Sequence, residues 1–163
     1  MKWYATCILY GDLNIYSELV TSVKIHNWWI ITQKIPRIFK SLSSIMAILM
    51  GGQPNGLQRN FKSQSCQLCE SNDKKDLIHI LFNCSELNEV RTNNLTNLNK
   101  VMPRAMVEEF NGMNVAEKLK FLLSPLHSQY IAEWKDIYVE IAKFVNAIYS
   151  LRAKLYDESS MNV

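Results

Sequence analysis

Four residues near the middle of the chain carry ligand chemistry at ligand spacing: Cys66-x2-Cys69-x9-His79-x4-Cys84. They account for three of the four cysteines and one of the three histidines. A Cys-x-x-Cys pair places two thiolates on one tight turn, and a histidine and a cysteine downstream supply a second half. Three thiolates and an imidazole are soft or borderline donors that fill a tetrahedral sphere, which suits zinc. A set closed by four protein ligands leaves no position for water or substrate, so the expected role is structural. Three other readings stand beside this one. A Cys66–Cys69 disulfide fits an oxidising compartment. A thioredoxin-like redox pair should open a helix after a strand, whereas Cys-Gln-Leu-Cys follows the polar run Lys62-Ser-Gln-Ser65. Buried free thiols would account for Cys84 but not for a polar Cys66–Cys69 turn.

These ligands need elements to hold them. Asp76 is placed to cap a short helix starting at Leu77. On a 3.6-residue helix, positions five apart point about 140° away from each other. His79 and Cys84 therefore cannot share a regular helical face, and the helix must end or distort before Cys84. Ser85 is expected to cap a new helix whose first turn holds Glu86 and Glu89, the sign an N-terminal dipole prefers. Ile78 and Phe82, and separately Leu81, are expected to pin this arm to the core.

The run Cys-Gln-Leu-Cys, a charged loop, His-Ile-Leu-Phe-Asn-Cys and then Glu89-Val-Arg91 resembles a known module. It is similar to the zinc-binding region at the C-terminus of non-LTR (LINE-type) retrotransposon polyproteins, downstream of their reverse transcriptase domain. That family often has a glutamate shortly before the histidine. Asp76 stands in that neighbourhood here, so no role carries over to this carboxylate. The resemblance continues loosely on both sides: a helix running into a glycine-bearing loop before the cysteines, and FLLSP, Tyr130, Glu133-Trp134, Ile137-Tyr138 and a late Arg152 after them. It implies a structural zinc, contact with template RNA or target DNA, and the remainder of a reverse transcriptase polyprotein as partner. Base stacking of the kind seen in short zinc knuckles is not implied, because the nine-residue gap between Cys69 and His79 is longer than theirs.

Composition is that of a globular chain: 163 residues, 48% apolar and 20% charged. Such a chain suits one domain able to bury roughly 70% of its unfolded surface. No apolar run approaches the ~18 residues of a membrane span. The opening MKWYATCILYGDL lacks the long core and small-residue cleavage site of a signal peptide. Three cysteines in a metal-like array fit a reducing compartment, so the expectation is an intracellular protein, nuclear or cytoplasmic, without a membrane partner.

The net charge of +3 is unevenly spread. Residues 19–69 contain no acid and six bases: Lys24, Lys34, Arg37, Lys40, Arg59 and Lys62. Lys34, Arg37 and Lys40 cluster at the start of one predicted helix. Arg59-Asn-Phe61-Lys62 sets an aromatic between two bases, a combination that can stack on a base and hold phosphates. These six residues (Lys34, Arg37, Lys40, Arg59, Phe61, Lys62) are the candidates for nucleic-acid contact. Solvated polar edges explain the same charges without a ligand.

Helical periodicity runs through the rest. Residues 13–23 carry Leu13, Tyr16, Leu19, Val20 and Val23 at helical spacing. Trp28 and Trp29 form a dense apolar patch expected to be core. Residues 36–50 read as a helix with Pro36 at its first position, Ile38, Leu42, Ile45, Met46 and Leu49 on one face, and Gly51-Gly52 as the stop. Pro103 starts a short helix ended by Asn111-Gly112, and Asn114-x-x-Glu117 is a capping-box-like start for the next. Ser124-Pro125 reads as the start of a final helix with Tyr130, Trp134, Ile137, Ile141, Phe144, Ile148, Leu151 and Leu155 in alternating steps of four and three. Ile131, Tyr138 and Val145 widen the stripe beyond a two-per-heptad seam, which favours packing on the chain's own helices over a coiled coil.

The expected fold is mainly α: a helical domain with an inserted Cys3His zinc-knuckle-like arm and a long C-terminal helix. Its segments are a helical N-terminal part (1–58), the zinc-binding module (59–100), the C-terminal helices (101–156) and a disordered tail (157–163). The functional expectation is a structural-zinc module assisting RNA or DNA binding. The alternative is a non-catalytic protein-interaction or architectural module, even a degraded element fragment, using the C-terminal helix for homo-oligomer contacts. Catalysis by this chain is not expected. Polymerase and nuclease chemistry need clustered carboxylates for two metals, and no Asp-Asp pair occurs.

Overall fold

The computed structural model describes residues 27–49, 66, 68, 69, 71, 77–123 and 134–161. Expectations for the helix at 13–23, the Trp29 side chain, the loop at 51–65, the Asp76 cap and the start at Ser124-Pro125 lie outside the described residues. So do the side chains of Met46 and Leu49. Every described element is helical, as expected. They are α1 (Asn27–Lys34), a 3₁₀ turn (Pro36–Ile38), α2 (Phe39–Leu49), a π turn (His79–Asn83), a second 3₁₀ turn (Ser85–Leu87), α3 (Asn88–Val101), α4 (Arg104–Gly112), α5 (Val115–Leu123) and α6 (Lys135–Met161).

The long helix α6 is the element on which the others assemble. Its stripe Ile137, Ile141, Phe144, Val145 and Ile148 is buried, and Tyr138 joins it. It packs along α3 on one side and α2 on the other, and touches the π turn and both 3₁₀ turns. α2 answers with Leu42 and Ile45, and the 3₁₀ turn before it with Ile38, all buried. Across this seam Ser44 Oγ donates to Asn146 Oδ1 at 3.0 Å. Trp28 locks α1 in place. Its indole Nε1–H donates to the Leu123 carbonyl at 3.0 Å, an acceptor that the end of α5 leaves without a helical partner. Its ring meets Tyr138 edge-on at 6.1 Å and 74°. The expectation that Trp28 is core therefore holds.

α6 continues through Met161, where the sequence reading places a tail from residue 157. An i,i+4 ion pair, Lys154 Nζ to Glu158 Oε1 at 3.6 Å, spans that boundary. The helix at 36–50 is also modified at its start: Pro36 opens a 3₁₀ turn, and the α-helix proper begins at Phe39.

The capping box at α5 forms in both directions. Asn114 N–H donates to Glu117 Oε2 at 2.8 Å, and Glu117 N–H donates to Asn114 Oδ1 at 3.0 Å. Leu119, Leu122 and Leu123 of α5 are buried, whereas Val115 is exposed. Asn114→Ala should cost about 1 kcal/mol in chemical denaturation, the usual value of a lost N-cap. A loss near zero would mean that packing of the three leucines alone sets the start of α5.

Candidate metal centre

The chemistry-bearing residues converge. Cys66, Cys69, His79 and Cys84 are all buried, and their ligand atoms lie within 4.8 Å of one another. The three cysteines are free thiols, so no disulfide joins Cys66 to Cys69. Cys66 Sγ is 4.0 Å from Cys84 Sγ, and Cys69 Sγ is 3.3 Å from His79 Nε2. A tetrahedron with bonds of about 2.3 Å to sulfur and 2.0 Å to nitrogen has S···S edges of roughly 3.8 Å and S···N edges of roughly 3.5 Å. The two observed edges agree with that to within a few tenths of an ångström. The donor set and its geometry are compatible with a metal ion at the centre.

The local backbone explains how residues five apart reach one point. Residues 79–83 form a π turn, and the Cys84 N–H donates to the His79 carbonyl at 2.7 Å. An i→i+5 bond closes a wider turn than the α pattern and returns Cys84 to the same side as His79. The distortion expected from the α-helical angle is thus present, as a π turn. Leu81 and Ile80 are the residues of this turn that enter the core, while Ile78 and Phe82 pack beside it partly buried. Ser85 does not act as a cap. The chain leaves Cys84 through the 3₁₀ turn Ser85–Leu87, and α3 begins at Asn88 with no side-chain cap bond. The reason lies in the ligand itself: the extended ψ of 123° at Cys84 makes that residue the flank of the following turn.

Electrostatics differ among the thiols. Burial alone raises Cys69, but the Ser71 hydroxyl 3.0 Å away and the Ser71 backbone amide outweigh it and hold the thiol at about 6. Burial pushes Cys84 up to about 12, with the neighbouring Cys66 charge adding to the rise against one backbone bond from Glu86. Three sulfurs this close cannot all ionise without a cation between them. A metal ion entering here at neutral pH would displace the Cys84 proton, so its affinity should rise with pH.

The structure brings the four candidate ligands together, and among the basic candidates it places Lys34, Arg37 and Lys40. Lys34, Arg37 and Lys40 are exposed near the junction of α1 and α2. Arg37 Nη2 bonds Asp136 Oδ1 of α6 at 2.7 Å. Arg59, Phe61 and Lys62 lie outside the described residues, so the two groups cannot be set side by side. Glu108 and Glu109 are exposed on α4, where Glu108 Oε1 accepts from Arg104 Nε at 2.9 Å.

Two residues around the centre escape the spacing argument. One is Ser71, whose hydroxyl faces Cys69. The other is Arg91, buried in α3, donating to the Leu81 and Cys84 carbonyls. A signal for Arg91 exists in its register: it shares a helical stripe with the fully buried Leu87 and Leu98.

The chain matches no protein-family model, no curated protein and no solved structure. Among the described residues no helix is long and apolar enough to cross a membrane.

Proposed function

We propose that this chain is a structural-zinc module set in a helical domain, belonging to the C-terminal region of a LINE-type reverse transcriptase polyprotein, where it assists binding of RNA or target DNA. The observation that carries the reading is the buried Cys66–Cys69–His79–Cys84 cluster, with all four ligand atoms within 4.8 Å. Zinc is favoured among divalent metals because three thiolates and an imidazole match its ligand preference, and the Cys66–Cys84 and Cys69–His79 separations are close to tetrahedral edges. The family and the nucleic-acid role are supported by the sequence resemblance, from Cys66 through Arg91, and by the acid-free stretch at 19–69. In this reading the chain itself is not catalytic and works inside the cell beside the rest of the polyprotein.

The contacting residues are Lys34, Arg37, Lys40, Arg59, Phe61 and Lys62. The Arg37–Asp136 pair does not remove Arg37 from this set. Its two side chains are 56% and 71% exposed, and an exposed pair is worth about 0–1 kcal/mol, less than a phosphate contact can recover. The same pair is the observation behind a second reading, in which the basic edge is internal scaffolding and α6 docks a protein or a second copy.

A titration of single-stranded RNA and DNA at several salt concentrations separates the two. The nucleic-acid reading expects log affinity to fall steeply with log salt. Arg37→Glu and Lys62→Glu should each flatten that slope by about one unit and weaken binding across all sequences. Unchanged binding in the double variant would give the site to the architectural reading.

A further inference from the structure

We propose that Arg91 is the positioning residue and counter-charge of the metal centre, an inference that rests on the metal reading above. The side chain is 7% exposed, and each of its three nitrogens donates a hydrogen bond. Nε donates to the Leu81 carbonyl at 2.9 Å, Nη2 to the Cys84 carbonyl at 2.7 Å, and Nη1 to Asn88 Oδ1 at 3.2 Å.

The two carbonyls belong to the π turn and to its terminal ligand. Both lie where the chain changes from a π turn to a 3₁₀ turn; the Cys84 carbonyl also accepts the Leu87 N–H at 3.3 Å, and Arg91 takes its second lone pair. Arg91 ties the π turn, the ligand Cys84 and the first turn of α3 into one unit. Rotation about the Cys84 backbone would swing its sulfur away from His79, and the two short guanidinium bonds oppose that rotation. The fork is specific to arginine, since an ammonium cannot address three fixed acceptors in one plane.

Charge supplies the second half. All three acceptors are neutral, and a buried guanidinium is costly unless an anion lies near. A divalent ion held by three thiolates and a neutral imidazole carries one net negative charge. Arg91 offsets it inside the fold, so the loaded centre and the guanidinium stabilise each other.

The test is the zinc affinity of the full chain, measured by competition with a chromophoric chelator, for the parent protein, Arg91→Gln and Arg91→Lys. The parent must first take up one zinc. Failure at that step sinks the metal reading itself, and this proposal with it. Given uptake, Arg91→Gln should weaken zinc binding about 10–100-fold, the usual effect of removing a partner that orients a ligand. Arg91→Lys keeps the charge without the fork and should weaken it less. The thiolate-to-cobalt absorption of the cobalt-loaded protein should change in both variants. A residue that serves only the core would lower the stability of the metal-free and loaded forms equally and leave zinc affinity within twofold of the parent, which would overturn the proposal. If Arg91→Gln does not fold, Arg91→Lys decides alone: affinity and cobalt spectrum identical to the parent contradict the role, and a weaker site with an altered spectrum supports it.

Discussion

Trp28→Ala should lower stability by about 3–5 kcal/mol, the range for truncating a large buried aromatic. The side chain is completely buried, and it joins three helices. Its ring packs edge-on against Tyr138 of α6, and its N–H holds the last carbonyl of α5. Truncation leaves a cavity and an unsatisfied buried acceptor together, so the upper part of the range is expected. Domains are stable by only about 5–15 kcal/mol, so the loss is a large share of the total. For a chain of this size the melting temperature should fall by about 6–20 °C. Trp28→Phe keeps most of the apolar area and should recover most of the loss. A change below about 1 kcal/mol in urea denaturation would mean that α1 is not part of the cooperative core.

The second large effect is on the ligand arm. Removal of metal by a strong chelator, or Cys66→Ser, should loosen the π turn that carries His79 while most of the helical signal survives. Structural zinc sites are worth about 10–16 kcal/mol of apparent binding energy in small fingers, where folding and binding are one event. Here the coupling is confined, because α2 and α6 bury Leu42, Ile45, Phe144 and Ile148 against each other without help from the cysteines. Hydrogen exchange should show fast amides in the π turn and slow ones in α6 after chelation. Collapse of the whole helical signal would show instead that the core depends on the metal.

How far the sequence could be read follows from the range of each physical signal. The heptad-like stripe from Ile137 to Ile148 is a local pattern repeated over several turns, and its burial was legible. So was the reciprocal cap of Asn114 and Glu117, which needs only a three-residue spacing. The four ligands were legible because metal chemistry restricts residue type as well as spacing. The angle between positions 79 and 84 required a distortion, but its form as a π turn was set by what the turn packs against: Leu81 in the core and Arg91 from the next helix. That is tertiary information, absent from the local pattern. The role of Arg91 was hidden for the same reason: its register with Leu87 and Leu98 points inward, but which acceptors it meets is set by the turn before it. Ser85 failed as a cap because the backbone at Cys84 answers to the ligand position rather than to the following helix. The run past residue 157 extends by helix propagation and the Lys154–Glu158 pair, neither of which a polar composition announces.

The proposed function depends on four side chains closing around one ion. X-ray absorption at the zinc edge of the loaded protein reads that sphere directly. It should report three sulfurs at about 2.3 Å and one nitrogen at about 2.0–2.1 Å, with no oxygen ligand. Fewer than three sulfurs, a bound water in the sphere, or a purified chain that retains no zinc would contradict the closed Cys3His centre.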